Sequence, residues 1–181
     1  MKYPILYKLV CVFAFILLAG SVSGKKPIKT LIVTGQNNHN WQVSNVALKK
    51  IMEQSGRFVV DVAVSPAAGE DMSSFSPNFA AYQLVVVDYN GDSWIEATKQ
   101  NFISFARNGG GIVIYHAADN AFSNWPEFNK ICALGGWEGR DEKSGPYVYW
   151  LDGKLIKDSA PGPGGSHGKQ HEYVLNARDE V

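Results

Sequence analysis

The stretch Gly109 to Phe122, GGGIVIYHAADNAF, decides the fold of this chain. Its glycines lead into a short apolar run, Ile112 to Tyr115, which stops at His116. A continuous apolar run of this length is typical of a strand that is buried on both faces of a parallel sheet. Ligands and catalytic groups collect where such strands end, so His116 is a candidate for chemistry.

Apolar runs elsewhere in the chain extend the sheet. Three of them are predicted to be strands: Lys29 to Thr34, Phe58 to Val64 and Leu84 to Asp88. Helices are predicted between them, at Ser44 to Gln54 and after a capping box formed by Ser93 and Glu96. Alternating strands and helices predict an α/β domain with a doubly wound, mostly parallel sheet.

The C-terminal part of the chain has a different pattern. Asn124 is expected to cap a short helix through Ile131. Two runs flank Asp152-Gly153 and predict a hairpin with a type I′ turn: Tyr147 to Leu151 and Lys154 to Lys157. A last strand is expected at His171 to Ala177, with no covering helix after it. We therefore expect the domain to be truncated at its C-terminus.

The N-terminal segment is predicted to be a secretory signal peptide, residues 1–24. Lys2 and Lys8 precede or flank an apolar run from Leu9 to Ala19, and small residues follow at Ser21 and Ser23. An uncleaved anchor is the alternative, although the run is short for a span of about 20 residues. The prediction is a periplasmic or secreted protein without stable membrane insertion after cleavage.

Composition limits the remaining possibilities. The chain balances 17 Lys and Arg against 17 Asp and Glu, which argues against a nucleic-acid partner. Residues 28–181 have the length of one domain. Of the 2 cysteines, Cys11 falls in the signal segment, so Cys132 has no intramolecular disulfide partner and is expected to be a buried small hydrophobe.

The predicted sheet brings three loops to one edge. The carboxyl ends of parallel strands share that edge, where ligand sites form. The candidate residues in these loops are His39, Trp41, Asp92, His116, Asp119 and Asn120. Each has a structural alternative, since a histidine can close a strand, and Asp and Asn are common in caps and turns. Their joint placement at one edge favours a site.

Other motifs are weaker. His167 and His171, with Glu172 adjacent, have a spacing that would suit a metal on a helix, but the surrounding glycines argue against a helix. A zinc site would need a third or fourth ligand, and we predict no metal site here. The chain has neither a phosphate-binding loop nor a Gly-x-Ser-x-Gly elbow.

Several separated stretches carry a family resemblance. They occur in the order LIVTGQNNHNW, VVVDYNGDSW, GGGIVIYHAADNAF, WPEFNKICALGGWEGR with GPY, and GGSHGKQHEYVL. From about Lys29 onward the chain resembles the ThuA-like (trehalose utilisation) family of the class I glutamine amidotransferase-like superfamily. The resemblance implies a flavodoxin-like fold and a chain that continues beyond Val181, where further residues complete the sheet and the pocket.

The resemblance also implies what the chemistry is not. In glutamine amidotransferases the strand that corresponds to Ile112 to Tyr115 ends in a nucleophilic cysteine on a tight elbow, and His116 takes that position here. Acyl transfer of that kind needs a thiolate. Cys132 lies in a predicted helix and is no substitute, so glutaminase activity is not expected.

The resemblance implies a function in carbohydrate metabolism, on trehalose, a keto-sugar or a glycoside. His116 would be the general acid or base and Asp119 would orient it. His39, Asn120, Asp92 and His171 would bind the sugar, with Trp41 or Trp137 stacked on the ring. Two alternatives remain open, a non-catalytic sugar-binding module and a truncated, inactive remnant. The sequence does not name a cofactor.

Overall fold

The computed structural model describes residues 26–133 and 146–162. Its strands are β1 (Ile28–Thr34), β2 (Phe58–Val64), β3 (Leu84–Val87), β4 (Gly111–Ile114), β5 (Tyr147–Leu151) and β6 (Lys154–Asp158). Its α-helices are α1 (Trp41–Gln54), α2 (Glu96–Arg107) and α3 (Pro126–Cys132). Short 3₁₀ helices cover Met72–Ser74, Phe79–Ala81 and His116–Asn120. The predicted signal peptide and the last predicted strand lie outside the described residues.

Strands β1 to β4 form a parallel sheet in the order β2-β1-β3-β4. The register places Ile32 opposite Val62 on one side and Val86 on the other, and Val86 opposite Val113. This order is the flavodoxin-like arrangement, with crossovers on both sides of β1. The predicted doubly wound α/β fold is confirmed, and all four carboxyl ends lie at one edge of the sheet.

One face of the sheet carries an aromatic core. Leu31, Val33, Val85 and Val87 pack there, beneath α2 and α3. Trp94, Phe79, Phe102 and Phe128 fill the space above them, and Trp94 lies within about 6 Å of several rings. Tilted and T-shaped ring pairs of this kind are favourable beyond the area that they bury.

Helix α1 covers the opposite face more thinly. Ile32, Val60 and Val86 are buried there against the half-buried Leu48 and Met52. The apolar spacing of Ala47, Leu48, Ile51 and Met52 predicts that these four residues share the buried side of the helix, but Ile51 is 65% exposed, so this prediction is wrong for Ile51. Residues 44, 48 and 52 recur every four positions, and that narrow stripe is the one that meets the sheet.

Two predicted helix caps are also wrong. Helix α2 begins at Glu96, with Ile95 rather than Ser93 at the N-cap, because the buried Trp94 keeps the preceding residues outside the helix. The Ser93 hydroxyl donates to the Trp94 carbonyl instead. Helix α3 begins at Pro126, with Trp125 rather than Asn124 at the cap. The β5–β6 hairpin is confirmed, and Asp152 and Gly153 adopt the positive φ angles of its turn.

No helix in residues 26–133 or 146–162 combines the length and the apolar character needed to cross a membrane.

Candidate functional site

Three loops meet at the carboxyl edge of the sheet. They follow β1, β3 and β4, and they place the imidazole rings of His39 and His116 with centroids 4.5 Å apart in a T-shaped arrangement. The two histidines are 77 positions apart in the sequence, and the parallel sheet brings them together. The topology therefore produces the histidine pair, since each residue follows its own strand at the same edge.

His116 has an unusual backbone. It opens the 3₁₀ helix that follows β4, and its φ is +47°, in the left-handed region. The turn is closed by the Ala118 amide, which donates to the Tyr115 carbonyl at 3.1 Å, while the Tyr115 amide still pairs with the Val87 carbonyl at 2.9 Å. A residue with a Cβ is strained in this region, and such strain concentrates at functional sites.

A buried carboxyl group, Asp88, lies beside the histidine pair. It follows β3 and accepts hydrogen bonds from Ser44 Oγ at 2.6 Å, Asn37 Nδ2 at 3.0 Å and Thr34 Oγ1 at 3.4 Å. Burial raises its pKa, and the three donors and the nearby His39 oppose the rise. These contacts hold a carboxyl group at the edge of the sheet, close enough to interact electrostatically with His39.

Asp88, Ser44 and Asn37 line a cavity of about 270 Å³ with both histidines. The sequence contained one signal for Asp88, a carboxylate placed directly after the apolar run of β3. No local pattern marked Ser44 or Asn37, because a helix and a loop residue acquire this role only through their contacts with Asp88. These residues were missed by the sequence reasoning.

A second cavity, of about 520 Å³, adjoins the first and shares Asn37 with it. Its lining is rich in side-chain amides: Gln36, Asn37, Asn38, Asn90 and Asn120. Asn38 and Asn90 are joined by two hydrogen bonds, of 3.1 and 2.9 Å. The buried Oδ1 of Asn120 has no hydrogen-bond partner within the described part of the chain. A buried acceptor of this kind requires a donor.

Gln36 links the loops at this edge by hydrogen bonds. Its amide nitrogen donates to the Pro66 carbonyl at 2.9 Å, and its Oε1 accepts from the Asp92 amide at 2.8 Å. The Asn90 amide donates to the Gln36 carbonyl at 3.1 Å. A Cβ at Gly91 would overlap the Gln36 side chain, so this close approach requires glycine. The larger cavity, which we call the amide cavity, is therefore lined by loops that are hydrogen-bonded to one another through Gln36.

The remaining sequence candidates take different places. Asp92 lines the amide cavity, where its carboxylate accepts from the Gly69 amide at 2.6 Å. Trp41 is the first residue of α1 and lines neither cavity, while its carbonyl accepts from Asn45 Nδ2 and Ser44 Oγ. Trp137 and His171 lie outside the described residues, as do His167 and Glu172.

Asp119 lies near His116 without bonding to it. Burial raises the pKa of Asp119, and the charge of His116 opposes the rise. No hydrogen bond joins the two side chains in the residues that the structure describes, so their interaction is electrostatic. Burial, followed by the charge of Asp119, raises the pKa of the Cys132 thiol to about 12. Such a thiol is not a nucleophile at neutral pH.

Metal ligands do not cluster in residues 26–133 and 146–162: no group of three or more His, Cys, Asp or Glu side chains there could hold an ion.

The raised pKa of Asp88 predicts a pH-dependent stability. The folded protein holds this proton more tightly than the unfolded chain, so the stabilisation is complete below the ordinary carboxyl pKa and is lost as the pH rises through the raised value. We expect Asp88→Asn, relative to wild type, to gain unfolding free energy as the pH rises from about 3 to about 7. Chemical denaturation at a series of pH values measures it.

Asp152→Asn is the matched control, because it removes the same charge from an exposed turn. Parallel pH profiles for Asp88→Asn and Asp152→Asn would contradict the burial of a destabilising charge at Asp88.

Comparison with known proteins gives one informative relative. No protein-family model matches the chain, and no curated protein does. A crystal structure from Parabacteroides merdae ATCC 43184, of a protein that carries the provisional name ThuA-like, matches with 72% identity and a TM-score of 0.80. The match covers 86% of this chain and 56% of that chain. The chain is therefore similar to a ThuA-like protein, shares its fold and spans about half of its length.

Proposed function

We propose that this chain is a ThuA-like protein of carbohydrate metabolism, and that its carboxyl-edge site binds a keto-sugar or glycoside and transfers protons on it. One observation carries the proposal: the imidazoles of His39 and His116 lie 4.5 Å apart beside the buried carboxyl group of Asp88. Imidazole changes its charge near neutral pH, so one ring can accept a proton while another donates.

The two cavities have different roles, proton transfer in the smaller one and binding of hydroxyl groups in the larger one. His116 acts as the general acid or base in the smaller cavity, and His39 is its neighbour there. Asp88 interacts electrostatically with His39, and Asp119 with His116. The larger cavity holds the hydroxyl groups of the ligand, because a side-chain amide offers both donors and an acceptor. Asn37 lines both cavities, so a ligand in either one can contact its side chain.

We expect no glutaminase activity. His116 stands where the superfamily keeps its cysteine nucleophile, and the Cys132 thiol, with its pKa raised to about 12, is protonated at neutral pH. We also propose that the protein is periplasmic or secreted, which rests on the composition of residues 1–24.

A non-catalytic sugar-binding module is the second candidate. The amide cavity, about 520 Å³ against about 270 Å³ for the histidine cavity, favours it. Binding a hydroxylated ligand needs only the amides, whereas turnover needs an imidazole. The two candidates therefore differ in turnover and agree on binding.

A binding and turnover assay tests both. The full chain is titrated calorimetrically with trehalose, glucose and their keto derivatives, and the mixtures are analysed for products. We expect Asn120→Leu to weaken binding about tenfold, the loss of one good hydrogen bond, without lowering the melting temperature, because the Asn120 oxygen has no internal partner to lose among the described residues.

The exposed Asn124 provides the control variant, Asn124→Leu, for which we expect wild-type binding. Binding without any product would favour the module. Equal binding by wild type and Asn120→Leu would contradict the role of the amide cavity in both candidates.

A further inference from the structure

We propose that a groove at the amino edge of the sheet is a second binding site, for an uncharged, hydroxylated small molecule such as a neutral sugar. The groove has a volume of about 560 Å³. It lies between the 3₁₀ helix Phe79–Ala81, the C-terminal half of α2 and the turn at Gly109 and Gly110. This size falls within the roughly 300–1,000 Å³ of small-molecule sites.

The groove is separate from the histidine pair. Gln83 and Gly110 line it, and they directly precede β3 and β4. Asp88 directly follows β3, and His116 lies two residues beyond the end of β4. The two sites therefore lie at opposite edges of one sheet, and the proposal for the groove does not depend on the proposed function.

The lining of the groove is polar but uncharged. Its polar side chains are Asn78, Tyr82, Gln83, Asn101, Ser104 and Asn108. Among the described residues that line it, none is Asp, Glu, Lys, Arg or His. A charged ligand would give up its hydration here without meeting an opposite charge, which is costly. Amides and a hydroxyl are the partners that sugar hydroxyls use.

All of these side chains except Tyr82, whose hydroxyl donates to Asp61 Oδ2 at 3.1 Å, have polar atoms available to a ligand. The side chains of Asn78, Asn101, Ser104 and Asn108 make no hydrogen bond with the described part of the protein. Gln83 uses only its oxygen, which accepts from the Lys29 amide at 2.8 Å. At the carboxyl edge, by contrast, the side-chain amides of Gln36, Asn37, Asn38 and Asn90 all make hydrogen bonds within the protein.

The groove is also rigid beneath these groups. Phe79 and Phe105 line it and are 1% and 6% exposed, and Phe79 packs edge-on to Phe102 at 5.3 Å. Gly110 lies flat against the Phe105 ring, where any Cβ would overlap the ring atoms. A preformed apolar floor with free polar groups around it lowers the entropic cost of binding.

Amide NMR of the full chain tests the proposal with glucose and maltose as probes. We expect saturable shifts at Asn108, Gly109 and Gly110, and smaller ones with the charged analogues gluconate and glucosamine. Ser104→Trp fills the groove and is expected to raise the Kd at least about tenfold. Gln100→Trp, on an exposed part of the same helix outside the groove, is expected to leave the Kd within about twofold.

A paired variant, Asn101→Ala with Asn108→Ala, removes polar groups without adding bulk and is also expected to weaken binding. Both positions are exposed, so the melting temperature should stay near that of wild type. Absence of saturable shifts at the groove, or equal affinity of Ser104→Trp and Gln100→Trp, would overturn the proposal. Shifts at His39 and Asn120 report the other site in the same spectra.

Discussion

Replacing His116 by asparagine is expected to lower kcat on the keto-sugar or glycoside substrate by about 10²–10⁴-fold, the usual contribution of a general acid or base. Asparagine is the most suitable replacement because it tolerates the left-handed backbone that His116 adopts at a φ of +47°. The variant therefore removes the imidazole without adding backbone strain. Single-turnover and steady-state assays on the full chain measure the effect, with KM near its wild-type value.

Asp152→Asn is the control for this variant as well. Asp152 has a φ of +49° in the β5–β6 turn, so asparagine is introduced in the same left-handed backbone region but outside both cavities. We expect wild-type kcat for it. If His116→Asn turned over substrate at the wild-type rate, His116 would have no part in proton transfer.

Replacing Gly35 by alanine is expected to cost about 3–5 kcal/mol of unfolding free energy, the sum of backbone strain and overpacking. Gly35 directly follows β1 and has a φ of +123°, and a Cβ there would lie 2.5 Å from the backbone nitrogen of Ser65. That nitrogen donates to the Thr34 carbonyl at 2.9 Å, so the chain cannot move aside without breaking the last β1–β2 bond. Urea denaturation measures the loss.

Gly56→Ala separates strain from overlap. Gly56 has a φ of +67°, but a Cβ there meets no atom within 4 Å. Strain alone should cost about 1 kcal/mol at this position. A loss at Gly35 no larger than that at Gly56 would show that the Ser65 backbone yields to the added methyl group.

Much of the fold could be predicted from short patterns. The apolar run of β2 was predicted with its observed bounds, and that of β1 to within one residue. Helix α1 was expected at Ser44 but begins at Trp41, because Asn40 accepts from the Val43 amide and caps the helix earlier. The Ser93 capping box failed because burial of Trp94 outweighs a local capping preference.

The candidate site divides in the same way. Placement after β1 and β4 was enough to predict that His39 and His116 lie at one edge of the sheet, since parallel strands end at one edge. The contact between their rings is seen only in the structure. Asp88 was assigned to the end of β3, yet it lies just beyond the strand, with donors from three other segments. Those contacts join residues far apart in the chain, so no local pattern could identify them.

The sequence by itself determined the sheet, its parallel direction and the edge at which the histidines collect, because apolar runs and turn residues act over a few neighbouring positions. Only the tertiary structure decided the burial and raised pKa of Asp88, the left-handed backbone of His116, the amide cavity with its unpaired Asn120 oxygen, and the uncharged groove at the opposite edge. Each of these depends on desolvation or packing by residues from distant segments, and such effects exist only once the chain has folded.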